Sequence, residues 1–363
     1  MPHQTGSSPS NFVPVGTDPH QWPSTTESGA ALPPAARHAA LEMLKSGSGG
    51  FSVGMGQRDL AAPLFHFGKI GAETRYPIAS ASKFLTAATI MSLVDDGALT
   101  LDQPISEWLP ALPEHAGGLT LRQLLSQTSG LAGVHGELYD LEQDHRISLN
   151  DSAMEVAARP LLTEPGTVFA YGGPGFQVAG AVVEAVTKQS WAEVFRTRIA
   201  VPIGMKNTVW THLRLGTTAT PPVAQTLNPV LQGGAVATAG DYLRFLSMIA
   251  QDGRFDGTRV LSSAAVDALL KNQTATARMT PTGANVLVDA RYALGNWCES
   301  WDSSDAGLLN SSIGIFGVYP WIERPTGRFG IVFPCVRENA FRFWPQIETI
   351  RDVLLGRSHS RDA

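Results

Sequence analysis

Short apolar runs of strand character sit at both ends of this chain and helical patterns fill its middle, a distribution that few folds accommodate. Residues 50–55 and 64–67 are small, apolar runs separated by turn-prone residues, which predicts a hairpin. Residues 293–299, 313–322 and 329–335 are aromatic and β-branched runs between polar or Pro/Gly segments, which predicts antiparallel strands. Between these ends, residues 81–96 carry Phe84, Leu85, Ala88, Ile90, Met91 and Val94 without Gly or Pro, a stretch too long for a strand, and Gly97 ends it. Residues 119–125, 177–187, 239–251 and 262–270 read as further helices, with 34–45 opening and 345–355 closing the ordered part. Strands so far apart in sequence need one another to complete a sheet. The expectation is an α+β fold: an antiparallel sheet built from N- and C-terminal segments, flanked by helices, with a mainly helical insertion. The boundaries expected are an irregular arm over 1–32, a sheet domain from 33–97 and 231–363, and a helical domain over 98–230, with the functional site between the two parts.

The tetrapeptide Ser80-Ala81-Ser82-Lys83 opens the long apolar helix as S-x-x-K. Residues three apart on a helix share a face, so the lysine amine reaches the serine hydroxyl. The helix N-terminus favours negative charge developing at Ser80. A serine hydroxyl becomes a useful nucleophile when a neighbouring base removes its proton, and a lysine serves as that base when burial lowers its pKa. No G-x-S-x-G elbow surrounds a serine here, which argues against an α/β-hydrolase.

Around that tetrapeptide the segments YPIASASKFLTAATIMSLVDDGALTLDQPISEWLP, LTLRQLLSQTSGL, EPGTVFAYGGPGFQVAGAVVE, VPIGMKNT and GGAVATAGDYLRFLSMIAQDGRFDGTRVLS occur in order. Over about residues 33–356 the chain resembles the S-x-x-K serine hydrolases: class C β-lactamases, D-alanyl-D-alanine carboxypeptidases and the family VIII carboxylesterases. The resemblance implies a β-lactamase/transpeptidase-like fold, Ser80 as nucleophile, Lys83 as its activating partner and Tyr171 as the tyrosine of a Y-x-N motif. A phenol beside a lysine ammonium is biased toward phenolate, so Tyr171 is expected to exchange the proton between Ser80 and the leaving group.

Two departures from that pattern bear on substrate. Gly173 stands where lactamases and peptidases carry the asparagine that contacts the substrate amide. The third motif, K-T-G or H-x-G in the resembling enzymes, falls in LNSSIGIFG at residues 309–317 and lacks the cation that would suit a carboxylate substrate. Aligning on Phe316-Gly317 selects the Ser312 N–H for the oxyanion hole, the preferred choice, whereas aligning on Gly314 selects the Ile315 N–H. His135 and Tyr139 fall where the resembling enzymes place pocket-rim residues. Trp297, Trp301 and Trp321 are candidates for an apolar pocket, although aromatics on strands are more often core. Asp95 and Asp96 read as a solvated helix end.

The net charge of −5, without a basic run, gives no footprint for nucleic acid or an anionic membrane. The nine histidines show no metal-ligand spacing, and no metal or organic cofactor is expected. Cys298 and Cys335 are expected as buried free thiols. The N-terminal residues lack the pattern of a secretory signal, so a cytoplasmic location is expected. The function expected is cleavage of a small-molecule carboxylic ester through a Ser80 acyl-enzyme. Three rivals stay open: an amide-cleaving peptidase or β-lactamase, an acyltransferase of specialised metabolism, and a catalytically degenerate ligand-binding relative.

Overall fold

The structure is a computed structural model describing residues 32–131, 144–212, 226–281, 287, 289–336 and 340–357; residues 1–31 of the expected arm lie outside the described residues. Helix α1, Pro34–Lys45, starts with proline at its first position, where a missing N–H removes nothing. Strands β1, Gly50–Gln57, and β2, Leu60–Gly68, form the expected hairpin. Helix α2, Ser82–Asp95, is buried along one unbroken run from Ser82 to Leu93, so it runs through the core rather than over its surface. Helix α3, Leu149–Ala157, packs on α4, Pro174–Thr187, which lies beside α2; α5, Ala239–Ala250, and α6, Ser263–Leu270, follow. The chain then lays down β3, Arg291–Tyr292, β4, Trp297–Trp301, β5, Gly307–Ser311, β6, Tyr319–Glu323, and β7, Arg328–Pro334, and ends in helix α7, Trp344–Leu354.

One seven-stranded antiparallel sheet runs in the order β3-β4-β5-β6-β7-β1-β2. The two ends of the chain meet where β7 pairs with β1, Val53 lying opposite Val332. Side chains alternate across this sheet, as period-two geometry demands. Phe329, Ile331 and Phe333 face the core with α2 and α5, whereas Val53, Val332, Tyr319 and Trp321 pack against α1 and α7. Both faces are therefore covered, and Trp321 belongs to the core rather than to a pocket.

Two strand boundaries differ from expectation, for the same reason. Residues 313–322 are not one strand: β5 ends at Ser311, the chain turns with Gly317 at φ +84, and β6 begins at Tyr319. Residues 293–299 likewise break at Gly295, φ +70, between β3 and β4. A left-handed backbone at glycine outweighs the strand preference of its neighbours. Asp95 is not merely solvated: its carboxylate accepts from the Ser262 N–H at 2.6 Å, tying the end of α2 to the start of α6. Asp96 pairs with Arg198. Both cysteines are free thiols, Cys298 buried and Cys335 half-buried, and desolvation pushes each up to about 12. Among the described residues, no helix is long and apolar enough to cross a membrane.

Candidate active site

A single helical turn, Ala79–Ala81, leads into α2 and carries Ser80. Ala79 sits at φ +46, left-handed backbone that a residue with a Cβ adopts at a cost of about 1–2 kcal/mol. Local hydrogen bonds hold it there. Ser82 Oγ donates to the Ala79 carbonyl at 2.6 Å and accepts from the Ala235 N–H at 3.1 Å. A short sheet pairing Tyr76–Pro77 with Ala235–Ala237 fixes the approach from the other side. Ser80 is thus left half-exposed at the tip, while Lys83, one turn on, is completely buried.

The Lys83 Nζ lies 3.1 Å from Ser80 Oγ, the contact that S-x-x-K spacing predicts. It also donates to the Gln232 main-chain oxygen and to Gln232 Oε1, each at 3.0 Å. The Tyr171 ring centroid is 4.6 Å from Nζ and the Phe176 centroid 5.6 Å away, so aromatic faces also border the lysine. The site therefore brings Ser80, Lys83 and Tyr171 together.

Tyr171 is not biased toward phenolate. Desolvation pushes its phenol up to about 12, against a smaller lowering by its hydrogen bond with Ser80. Loss of hydration disfavours the charged form more than the Ser80 hydrogen bond favours it, so the group stands at neutral pH as a proton donor. Its ring stacks on Trp297 at 5.5 Å and 13°, with Tyr292 edge-on at 6.1 Å. Of the three candidate tryptophans, Trp297 alone touches this group; Trp301 lies half-buried farther along β4.

Gln127 grips the peptides on both sides of Tyr171. Its carbonyl accepts the Ala170 N–H at 2.9 Å, and its Oε1 accepts the Gly172 N–H. Gln127 is itself left-handed, φ +60, and buried. Gly173 follows at the start of α4 and places no side chain in the site.

Beyond β5 the chain passes directly against Ser80. Ser312 Oγ lies 3.3 Å from the Ser80 carbonyl oxygen, and a Cβ on Gly314 would overlap the Ile78 carbonyl. The expected Ser312 N–H is not the free amide, because it donates to Pro320 at 3.2 Å; Gly314 N–H donates to Val318 at 2.8 Å. Successive amides of an extended chain point to opposite sides, so these two bonds turn the intervening Ile313 N–H away from β6. That amide has no partner among the described residues and lies between the two contacts with the Ser80 segment. Ile315, the other alignment's choice, lies beyond it in the turn with its side chain exposed. His135 and Tyr139 lie outside the described residues.

Sequence reasoning missed Gln232, Gln127 and Ile313. Gln127 lies inside a quoted segment and Gln232 one residue before another, but a glutamine beside a motif carries no signal until the contact is formed. Strand alternation near residue 313 became legible only once the partner strand was placed. Among the described residues no cluster of three His, Cys, Asp or Glu is arranged to hold a metal.

The family model described as Beta-lactamase matches residues 47–334. Penicillin-binding protein 4 of Amycolatopsis lactamdurans is 32% identical over 241 residues, covering 60% of this chain and 62% of that protein. The chain spans less than two thirds of the length of the first curated relatives it matches. Among solved structures, a putative beta-lactamase from Bacteroides dorei superposes with a TM-score of 0.72 at 27% identity, covering 88% of this chain and 98% of that one. A family VIII carboxylesterase superposes with a TM-score of 0.66 at 17% identity, over 87% and 96% of the two chains.

Proposed function

The chain belongs to the Beta-lactamase family, a family of serine hydrolases, and from that premise we propose that it cleaves a carboxylic ester through a Ser80 acyl-enzyme. The observation that carries the proposal is the 3.1 Å contact between a buried lysine amine and a half-exposed serine hydroxyl. In its neutral form the Lys83 amine accepts the Ser80 proton as Oγ adds to the carbonyl carbon. The N–H groups of Ser80 and Ile313 hold the resulting oxyanion. Collapse breaks the bond to the alcohol oxygen. The departing alkoxide takes a proton from the neutral Tyr171 phenol, which the Lys83 ammonium then reprotonates. Water enters by the reverse sequence and releases the acid.

An ester is favoured over an amide for two reasons. Gly173 supplies no side chain for a substrate amide, and the 309–317 segment supplies no cation for a substrate carboxylate. The test is hydrolysis of p-nitrophenyl acetate and butyrate by the parent chain and Ser80→Ala, with intact mass followed during turnover. The expected result is turnover with an acyl adduct, both absent from Ser80→Ala. No turnover and no adduct would overturn the proposal, and efficient nitrocefin cleavage with inert esters would replace it with the amide-cleaving alternative.

A further inference from the structure

Resting on the Ser80–Lys83 reading, we propose that Gln232 is a positioning residue that holds the Lys83 amine against the nucleophile. A lysine nitrogen has three positions beyond its carbon stem. Two of them meet Gln232 oxygens, the main-chain carbonyl and Oε1, each at 3.0 Å. Such oxygens only accept, so both of these positions are N–H. The amine also meets Ser80 Oγ at 3.1 Å, and a hydroxyl both donates and accepts. Along that contact the amine can alternate between a lone pair and a proton. When Ser80 reacts, its O–H bond breaks and an N–H bond forms along the existing contact, while the O–H electron pair becomes the new bond to the carbonyl carbon. The amine need not rotate, and its two N–H donors to Gln232 stay in place, the kind of prior ordering that lowers an activation barrier.

The turn bearing Gln232 is built to hold this arrangement. The N–H groups of Gly233 and Gly234 both donate to Val230, at 3.1 and 2.6 Å, closing a tight loop. Gly234 has no room for a side chain, since a Cβ would overlap the Thr211 carbonyl oxygen. Helix α4 contributes Gln177 Oε1, which accepts the Leu231 N–H at 2.8 Å. Helix α2 contributes Thr86 Oγ1, which donates to the Leu231 carbonyl at 2.7 Å, and Ser82 Oγ, which accepts the Ala235 N–H at 3.1 Å. The helix that carries Lys83 is therefore bonded on both sides of Gln232 to the turn that presents it. Gln232 is itself buried, 5% exposed.

The experiment compares the parent chain with Gln232→Leu and Gln232→Glu. It measures kcat/KM for p-nitrophenyl butyrate from pH 5 to 10, the rate of Ser80 labelling by a fluorophosphonate, and thermal melting. Gln232→Leu removes Oε1 and leaves the main-chain oxygen; labelling is expected to slow at least tenfold with KM within twofold of the parent. Gln232→Glu places a carboxylate against the amine and favours the ammonium. Its acidic limb is expected to move up by a pH unit or more, with activity recovering to within about threefold of the parent at high pH. A merely structural role lowers the melting temperature and leaves the limb where it was. Parent-like limbs and labelling rates in both variants would overturn the proposal, even if the parent hydrolyses esters through Ser80. A parent that fluorophosphonate does not label would instead overturn the Ser80 reading, and this inference with it.

Discussion

At the scale of single residues, the site is governed by where protons rest. A phenol held up to about 12 stays protonated through the working range, which suits the proposed role of Tyr171 as an acid toward the leaving group. Two outcomes follow from that placement. Tyr171→Phe should reduce kcat for ethyl butyrate by about 10²–10⁴-fold, and for p-nitrophenyl butyrate by at least tenfold less, because nitrophenolate leaves without a proton. The parent enzyme should show no basic limb assignable to Tyr171 below about pH 10, which a pH profile of kcat on the ethyl ester checks. Ser80 and Lys83 were legible in the sequence because both lie on one helical turn, where spacing alone decides contact. Tyr171 needed the family resemblance. Gln232 was legible from neither, since its contact with Lys83 closes across 149 positions of chain.

At the scale of elements, α2 is seated by its neighbours as much as by its own helical preference. Gly295, in the turn between β3 and β4, presses on the helix at Lys83: a Cβ there would overlap the Lys83 carbonyl oxygen and lie 2.7 Å from Ala87 Cβ. Its φ of +70 adds strain for any other residue. Gly295→Ala should therefore destabilise the protein by about 2–4 kcal/mol, from left-handed strain plus overpacking against backbone. Denaturant unfolding measures that loss, and slower Ser80 labelling in the folded variant would accompany the displaced Lys83. A stability equal to the parent's would mean that the turn yields freely. The existence of α2 was legible from its long run without Gly or Pro. The turns at Gly295 and Gly317 were not, because apolar and aromatic neighbours masked the glycines that break each run.

At the scale of the whole molecule, the sheet that joins the two chain ends also buries a titratable histidine outside the site. On β1 and β2, Ser52 Oγ and His66 Nδ1 lie 2.8 Å apart, and His66 Nε2 has no partner among the described residues. Desolvation lowers the His66 pKa from 6.5 to about 4. The unfolded chain therefore binds the extra proton first as pH falls. Stability is full above about pH 6.5, declines through the window down to about 4, and levels below it, losing on the order of 3 kcal/mol from this group. Urea unfolding of the parent and His66→Gln between pH 4 and 7 checks this: the stability difference between them should vary with pH across that window, and a constant difference would remove His66 as its source. Sequence by itself determined the hairpin, the buried helix, the sheet drawn from both chain ends and the Ser80–Lys83 pair, because periodicity and local spacing settle all of these. Tertiary structure alone decided the raised pKa of Tyr171, the Gln232 contacts and the turning of the Ile313 amide away from its neighbouring strand. Desolvation, long-range hydrogen bonds and strand pairing exist only once distant segments have packed together.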